Sequence, residues 1–199
     1  MPLVKGEATR LAILDEALQM ASRVGVTGLS IGRLAAETEM SKSGLFAHFR
    51  SKEELQLQVL GRGRERFVDT VVRPALGAPR GEKRVRELFE RWLEWETSAF
   101  DGGCVFVVLA FELDGRPGPV RDAIVDSERD WLELLESTAA TAVAESQFRA
   151  DLDAAQFAYE LHGVMLAHHH ASRLMCDDRA LQRTHTAYES LMASARRTD

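Results

Sequence analysis

The chain has only two cysteines, Cys104 and Cys176, and no segment laid out as a secretion signal. Two thiols in that setting suit a reducing compartment, where buried thiols are expected rather than a disulfide. The opening stretch, Met1 to Ala17, lacks a long apolar core and turns acidic early, so it is not expected to act as a signal peptide. The best apolar run, Cys104 to Phe111, is eight residues long, too short to span a bilayer. Short catalytic signatures are missing too: there is no Gly-rich phosphate loop, no HExxH and no GxSxG. Periodicity alone allows the run from Cys104 to Leu113 to be a buried strand or a buried helix. No second strand-like segment exists to pair with it, so it is assigned as helix. With no repeats and no low-complexity tracts, the expectation is a cytoplasmic, non-enzymatic, all-α protein without a membrane partner.

What is present is better defined. A length of 199 residues permits one domain or two, and the 45% apolar and 28% charged fractions are those of a soluble globular chain. The net charge of −6 argues against indiscriminate coating of nucleic acid. That charge is unevenly spread. Residues 1–66 hold ten Lys/Arg and eight Asp/Glu, a balance of +2; residues 67–199 hold fifteen and twenty-three, a balance of −8. The first part can approach phosphates and the second would be repelled by them.

The segment Leu29 to Leu55, LSIGRLAAETEMSKSGLFAHFRSKEEL, reads as two short helices, a tight break and the start of a third. Ser30 can cap the first, whose Ile31, Leu34 and Ala35 recur at helical spacing. Thr38-Glu39-Met40 makes the turn. Ser41 can cap the second helix, with Leu45, Phe46 and Phe49 expected inward and Lys42, Ser43, Gly44 and His48 outward. Ser51 and Glu54 form a capping box for the next helix. This is a helix-turn-helix, which can set one helix in the major groove of DNA.

These residues resemble the DNA-binding domain of TetR-family transcriptional regulators. The resemblance rests on Thr9 to Gly25, on Leu29 to Ala35 and on Ser41 to Leu55, with Ser41, Lys42, Gly44, Phe46, His48-Phe49 and Lys52 in register. The stretch Gly102 to Ile124 is similar to the regulatory half of some members. Two positions depart from the pattern. Glu39 stands where the family usually has Gly, and Phe46 where it usually has Tyr. The second change removes a hydroxyl that could meet a phosphate.

The resemblance implies a dimeric repressor that binds a palindromic operator and is released when a small apolar effector moves helix 4. The alternative is a helical protein-binding adaptor that has lost DNA binding. The expected fold is all-α, with a three-helix helix-turn-helix domain over 7–67 and a larger helical effector-binding and dimerisation domain over 68–199. The expected DNA-facing set is Ser30, Arg33, Ser41, Lys42, Ser43, Gly44, Phe46, His48 and Lys52. Lys42 and Lys52 are the phosphate candidates. Gly44 costs about 1 kcal/mol of helix stability against Ala, which close approach to DNA would justify.

Further helices are expected over 7–23, 52–72, 82–100, 120–145, 153–176 and 179–196, with loops at Arg73 to Gly81 and Asp114 to Pro119. The effector set is Trp92, Trp95, Phe106, Phe111, Trp131, His162, Met165 and His169; each ring either lines a pocket or fills the core. His168, His169 and His170 point about 100° apart on a helix, so they cannot share one ion. Neither metal nor cofactor is expected. Gly163, Ala167 and Ala171 form a small-residue ridge, which packs within one subunit or against a second copy. The homodimer is expected to form through the last two long helices, about 153–176 and 179–196.

Overall fold

A computed structural model describes residues 5–197. The helices are α1 (Lys5–Val24), α2 (Ile31–Glu37), α3 (Lys42–Phe46), α4 (Lys52–Phe67), α5 (Arg73–Leu76), α6 (Glu82–Ser98), α7 (Val105–Leu113), α8 (Pro119–Ala144), α9 (Ala154–His169) and α10 (Ala180–Ala195). Among the described residues the one β-type pairing is an isolated bridge between Phe148 and Arg196. No helix of that described set is long and apolar enough to cross a membrane.

The chain forms two compact units. The first joins 1–67 to 100–126, and the second joins 68–99 to 127–199. The first therefore takes in α7 and the start of α8, which the chain-order division at 67/68 leaves with the second half. The physical reason is that the apolar stretch of α7 packs on α1 and α4. Gly63 lies under the Phe106 ring and Val105, and the Phe67 and Phe106 rings meet edge to face at 5.7 Å.

Within the first unit, Leu14, Leu18 and Ala21 of α1, Leu34 of α2, Leu45, Phe49, and Leu55 and Val59 of α4 are buried. Arg62 of α4 grips Asp15 of α1 through Nε (2.8 Å) and Nη2 (3.1 Å). The two helices of the motif are capped as their sequence predicts. The Ser30 hydroxyl accepts from Arg33 N at 3.2 Å and the Ser41 hydroxyl from Gly44 N at 3.1 Å. Helix α2 ends in a left-handed stop, with Met40 N donating to Ala35 O at 3.0 Å while Glu39 holds φ of 53°. This is the turn position at which the family pattern has glycine.

Four sequence expectations need correction. Phe46 does not face inward; it is 56% exposed, because α3 is a single turn whose apolar contacts are made by Leu45 and by Phe49 beyond it. The helix from Lys52 does not run as one regular helix to 72. It passes into a π-helical turn at Val68–Val72, two residues short of Pro74, which has no N–H to return to the carbonyl of Thr70. Arg73 to Leu76, expected as loop, then form a short helix with Pro74 in its first turn. The helix ending near 176 is likewise interrupted, with α9 closing at His169 and a π turn following at His170–Leu174.

The second unit is built on Val85, Leu88, Phe89, Trp92 and Trp95 of α6, Trp131 and Leu135 of α8, Phe157, Leu161 and Met165 of α9, and Tyr188 and Met192 of α10, all buried. Phe89 stacks on Tyr188 at 3.9 Å with the rings nearly parallel. A polar contact ties α9 to α10. His168 Nδ1 lies 3.0 Å from Thr184 Oγ1, and that hydroxyl donates its only proton to Ala180 O at 2.8 Å. Both contacts are satisfied when His168 is neutral and its Nδ1–H donates.

Two measurements check this fold. Glu39→Gly relieves a left-handed backbone at a β-carbon, so the variant should be more stable by about 1 kcal/mol in chemical denaturation. Lower stability would mean that the Glu39 side chain has a role of its own. The second concerns acid. Burial pushes the His168 imidazole below its ordinary value of 6.5, with the Glu96 carboxylate partly opposing. The unfolded ring takes a proton near that pH and the folded ring resists it, so stability is full above about pH 6.5 and falls below it. His168→Asn keeps a donor for Thr184 but cannot titrate. Denaturation midpoints taken between about pH 7.5 and pH 5.5 should fall less in the variant than in the wild type; parallel curves would assign the loss to another group.

Candidate functional site

On the first unit, α3 presents Ser41, Lys42, Ser43 and Phe46 to solvent, with Gly44 and His48 half-buried. Arg33 of α2 and Ser30 are exposed beside them. The structure thus gathers most of the expected DNA-facing set on one short helix and its neighbour. Lys42 does not stand free of the fold. Its Cε would be 3.4 Å and its Nζ 3.7 Å from a β-carbon on Gly32, so the stem lies along α2 where Gly32 leaves room. Gly44 has a local cause as well, since a β-carbon there would come within 3.2 Å of the capping Ser41 hydroxyl.

Lys52 is exposed but also engaged. Its Nζ donates to Thr27 O at 2.6 Å, leaving two N–H groups for other acceptors. The same turn between α1 and α2 is held from two further sides. Gln56 Nε2 donates to Val26 O at 2.8 Å. Glu112 of α7 accepts from Val26 N at 2.7 Å and Thr27 N at 2.9 Å, and also from the Thr27 hydroxyl.

In the second unit lie Trp92, Trp95, Trp131 and Met165, all buried, with His162 and His169 half-buried. Phe106 and Phe111 fall in the first unit instead, Phe106 buried and Phe111 66% exposed. The expected effector set is therefore not one cluster within a unit. Polar groups interleave with the rings of the second unit. The fully buried Glu96 carboxylate lies 3.0 Å from His169 Nδ1 and accepts from Arg173 Nε at 3.1 Å, while Arg173 Nη2 donates to Glu96 O at 2.7 Å. His162 Nε2 lies 3.4 Å from Glu128 Oε2. Burial pushes the Glu128 carboxyl up and the His162 ring down, so the surroundings favour the uncharged forms of both.

The histidines therefore separate to different partners: His162 to Glu128, His168 to Thr184 and His169 to Glu96. Among the described residues no three His, Cys, Asp or Glu side chains converge as a metal site. Sequence reading passed over Glu96, Glu112 and Glu128. A signal was available for two of them, since Glu96 sits one turn after Trp92 inside an apolar stripe and Glu112 directly follows the apolar run of α7.

Residues 13–59 match the family model of bacterial regulatory proteins, tetR family. Residues 81–188, more than half of the chain, match that of the tetracyclin repressor-like C-terminal domain. No curated protein matches the sequence. Among solved structures, a TetR-family transcriptional regulator from Cytophaga hutchinsonii superposes with a TM-score of 0.86 at 17% identity, covering 100% of both chains. A TetR regulator from Chloroflexus aurantiacus gives 0.79 at 22% identity, covering 95% of this chain and 94% of its own. AibR, in complex with isovaleryl coenzyme A and operator DNA, gives 0.66 at 23% identity, covering 79% of this chain and 84% of its own. A capped helix-turn-helix at one end and a helical body matched over 81–188 meet in one conclusion: the chain belongs to the TetR family of DNA-binding bacterial transcriptional regulators, not to a family of enzymes.

Proposed function

We propose that this regulator is a cytoplasmic homodimeric repressor that binds a palindromic operator and leaves it when a small, largely apolar molecule enters the second unit. The observation that carries the reading is the solvent-facing edge of α3, where Lys42, Ser43 and Phe46 are all exposed. Phosphate contacts by Lys42 and Lys52 would set the register, and Ser43 and His48 would meet phosphate or base edges. The buried rings of Trp92, Trp95 and Trp131, interleaved with His162, Met165 and His169, suit an apolar effector with a polar group. A structural neighbour that carries both a coenzyme A thioester and operator DNA supports the pairing of the two ligands on this fold.

Dimerisation through α9 and α10 is supported by what those helices leave uncovered. Gly163 has no heavy atom within 4 Å of where a β-carbon would lie, and Ala167 is exposed one turn later. Tyr159 is 71% exposed, and Leu181 of α10 is 49% exposed. A small-residue ridge flanked by such side chains accepts a second helix at close range. One subunit contacts too few base pairs for useful specificity, so the dimer and the palindrome belong together.

Lys42→Ala should weaken binding to the region upstream of the gene, with little change in thermal midpoint. The slope of log affinity against log salt should fall by about one for each phosphate contact removed. A weaker complex with the wild-type slope would deny Lys42 its phosphate. Gly163→Leu should cost the dimer about 1–3 kcal/mol through overpacking. Ultracentrifugation should then show more monomer than the wild type at equal concentration. A wild type that is monomeric at concentrations on the order of tens of micromolar would remove the dimer.

A further inference from the structure

The segment Gly102 to Glu112 carries two tight attachments to α1 and the turn that follows it. At its start, Gly102 N donates to the Ser22 hydroxyl at 3.3 Å, and a β-carbon on Gly102 would collide with the Ser22 carbonyl. Only glycine permits this backbone-on-backbone approach. Two turns of α7 later, the two Glu112 oxygens each take one amide of the α1–α2 turn, Oε2 from Val26 and Oε1 from Thr27. Gly25, with φ of 72°, is again the residue that makes room, since a β-carbon there would meet the Glu112 carboxylate. Such charge-assisted, two-point hydrogen bonding fixes direction as well as distance.

The turn so held has a second side. Its Thr27 carbonyl receives Lys52, and three residues beyond Thr27 stands Ser30, the cap of α2. Both are in the expected DNA-facing set. Along the chain, α7 is flanked by α6 and by α8, which runs on from 127 into the second unit.

We propose that Glu112 is a positioning residue for DNA binding: by gripping Val26 and Thr27 it sets the Thr27 carbonyl that aims Lys52. The proposal rests on the DNA-binding reading above.

The test uses the full-length protein and a duplex that the wild type selects from a random DNA pool. Affinity is measured across a salt series for wild type, Glu112→Gln, Glu112→Ala, Lys52→Ala and the double variant Glu112→Gln/Lys52→Ala. Amide exchange at Val26 and Thr27 is followed in parallel. Glu112→Gln keeps the side-chain shape and one acceptor oxygen, so it reports even where Glu112→Ala unfolds. The expected result is faster exchange at both amides, roughly tenfold weaker binding and a salt slope reduced by about one per subunit. The double variant should show the slope of Lys52→Ala alone. Faster exchange with wild-type affinity and slope would make the grip merely structural and overturn the proposal. Weaker binding at an unchanged slope would overturn it too, since Lys52 would not be the route. A wild type that selects no duplex would sink the DNA-binding reading itself, a result separate from either.

Discussion

Four backbone groups in the turn after α1 must find partners away from the helix ladder: the N–H and C=O of Val26 and of Thr27. An orphaned polar group in such a place costs as much as a lost hydrogen bond. Here Glu112 answers the two amides, and Gln56 and Lys52 answer the two carbonyls. That arrangement fixes where α2 begins. The left-handed stop at Glu39 then fixes where α3 begins, and α3 carries the exposed Lys42, Ser43 and Phe46. The placement of α3 is thus set from behind, by Glu112 and Gln56, which lie outside the proposed DNA-facing set, and by Lys52, which belongs to it.

The second unit obeys the opposite constraint. Its interior is apolar enough that charge is penalised, and the Glu96 and Glu128 carboxylates each face a histidine. Glu96 is compensated by His169 and Arg173 around the start of the π turn at His170–Leu174. The wider turn lets the chain bring Arg173 back onto α6 while His170 stays in solvent. Glu128 and His162 pair with both shifts running against ionisation.

Local order was legible in the sequence. Ser30, Ser41 and Ser51 are caps because hydroxyls next to a helix start have few better uses, and all three act as read, while the Glu54 carboxylate takes the N–H of Arg50 rather than that of Ser51. The choice of helix for Cys104 to Leu113 also stands, on the simple ground that a lone strand has nothing to pair with. Long-range placement was not legible. Phe46 has the composition of a core residue, but a one-turn helix cannot bury two adjacent rows, and Leu45 took the inner one. Likewise Pro74 announced a break, while the break came upstream of it as a π turn because the missing N–H is felt by a preceding carbonyl. Phe106 and Trp92 look alike in sequence, yet they belong to different units, since nothing local in α7 says that it returns to α1.

That return has an evolutionary consequence. In this chain the compact unit that carries the helix-turn-helix is discontinuous. A recombination event, or a designer's cut, at Phe67 would carry away Val26 and Thr27 but leave Glu112 with the discarded body. New specificities would be acquired intact only when the head travels with residues 100–126, or when the incoming body already offers a carboxylate at the same place. Moving either stretch without the other would part the Glu112 carboxylate from the two amides it holds.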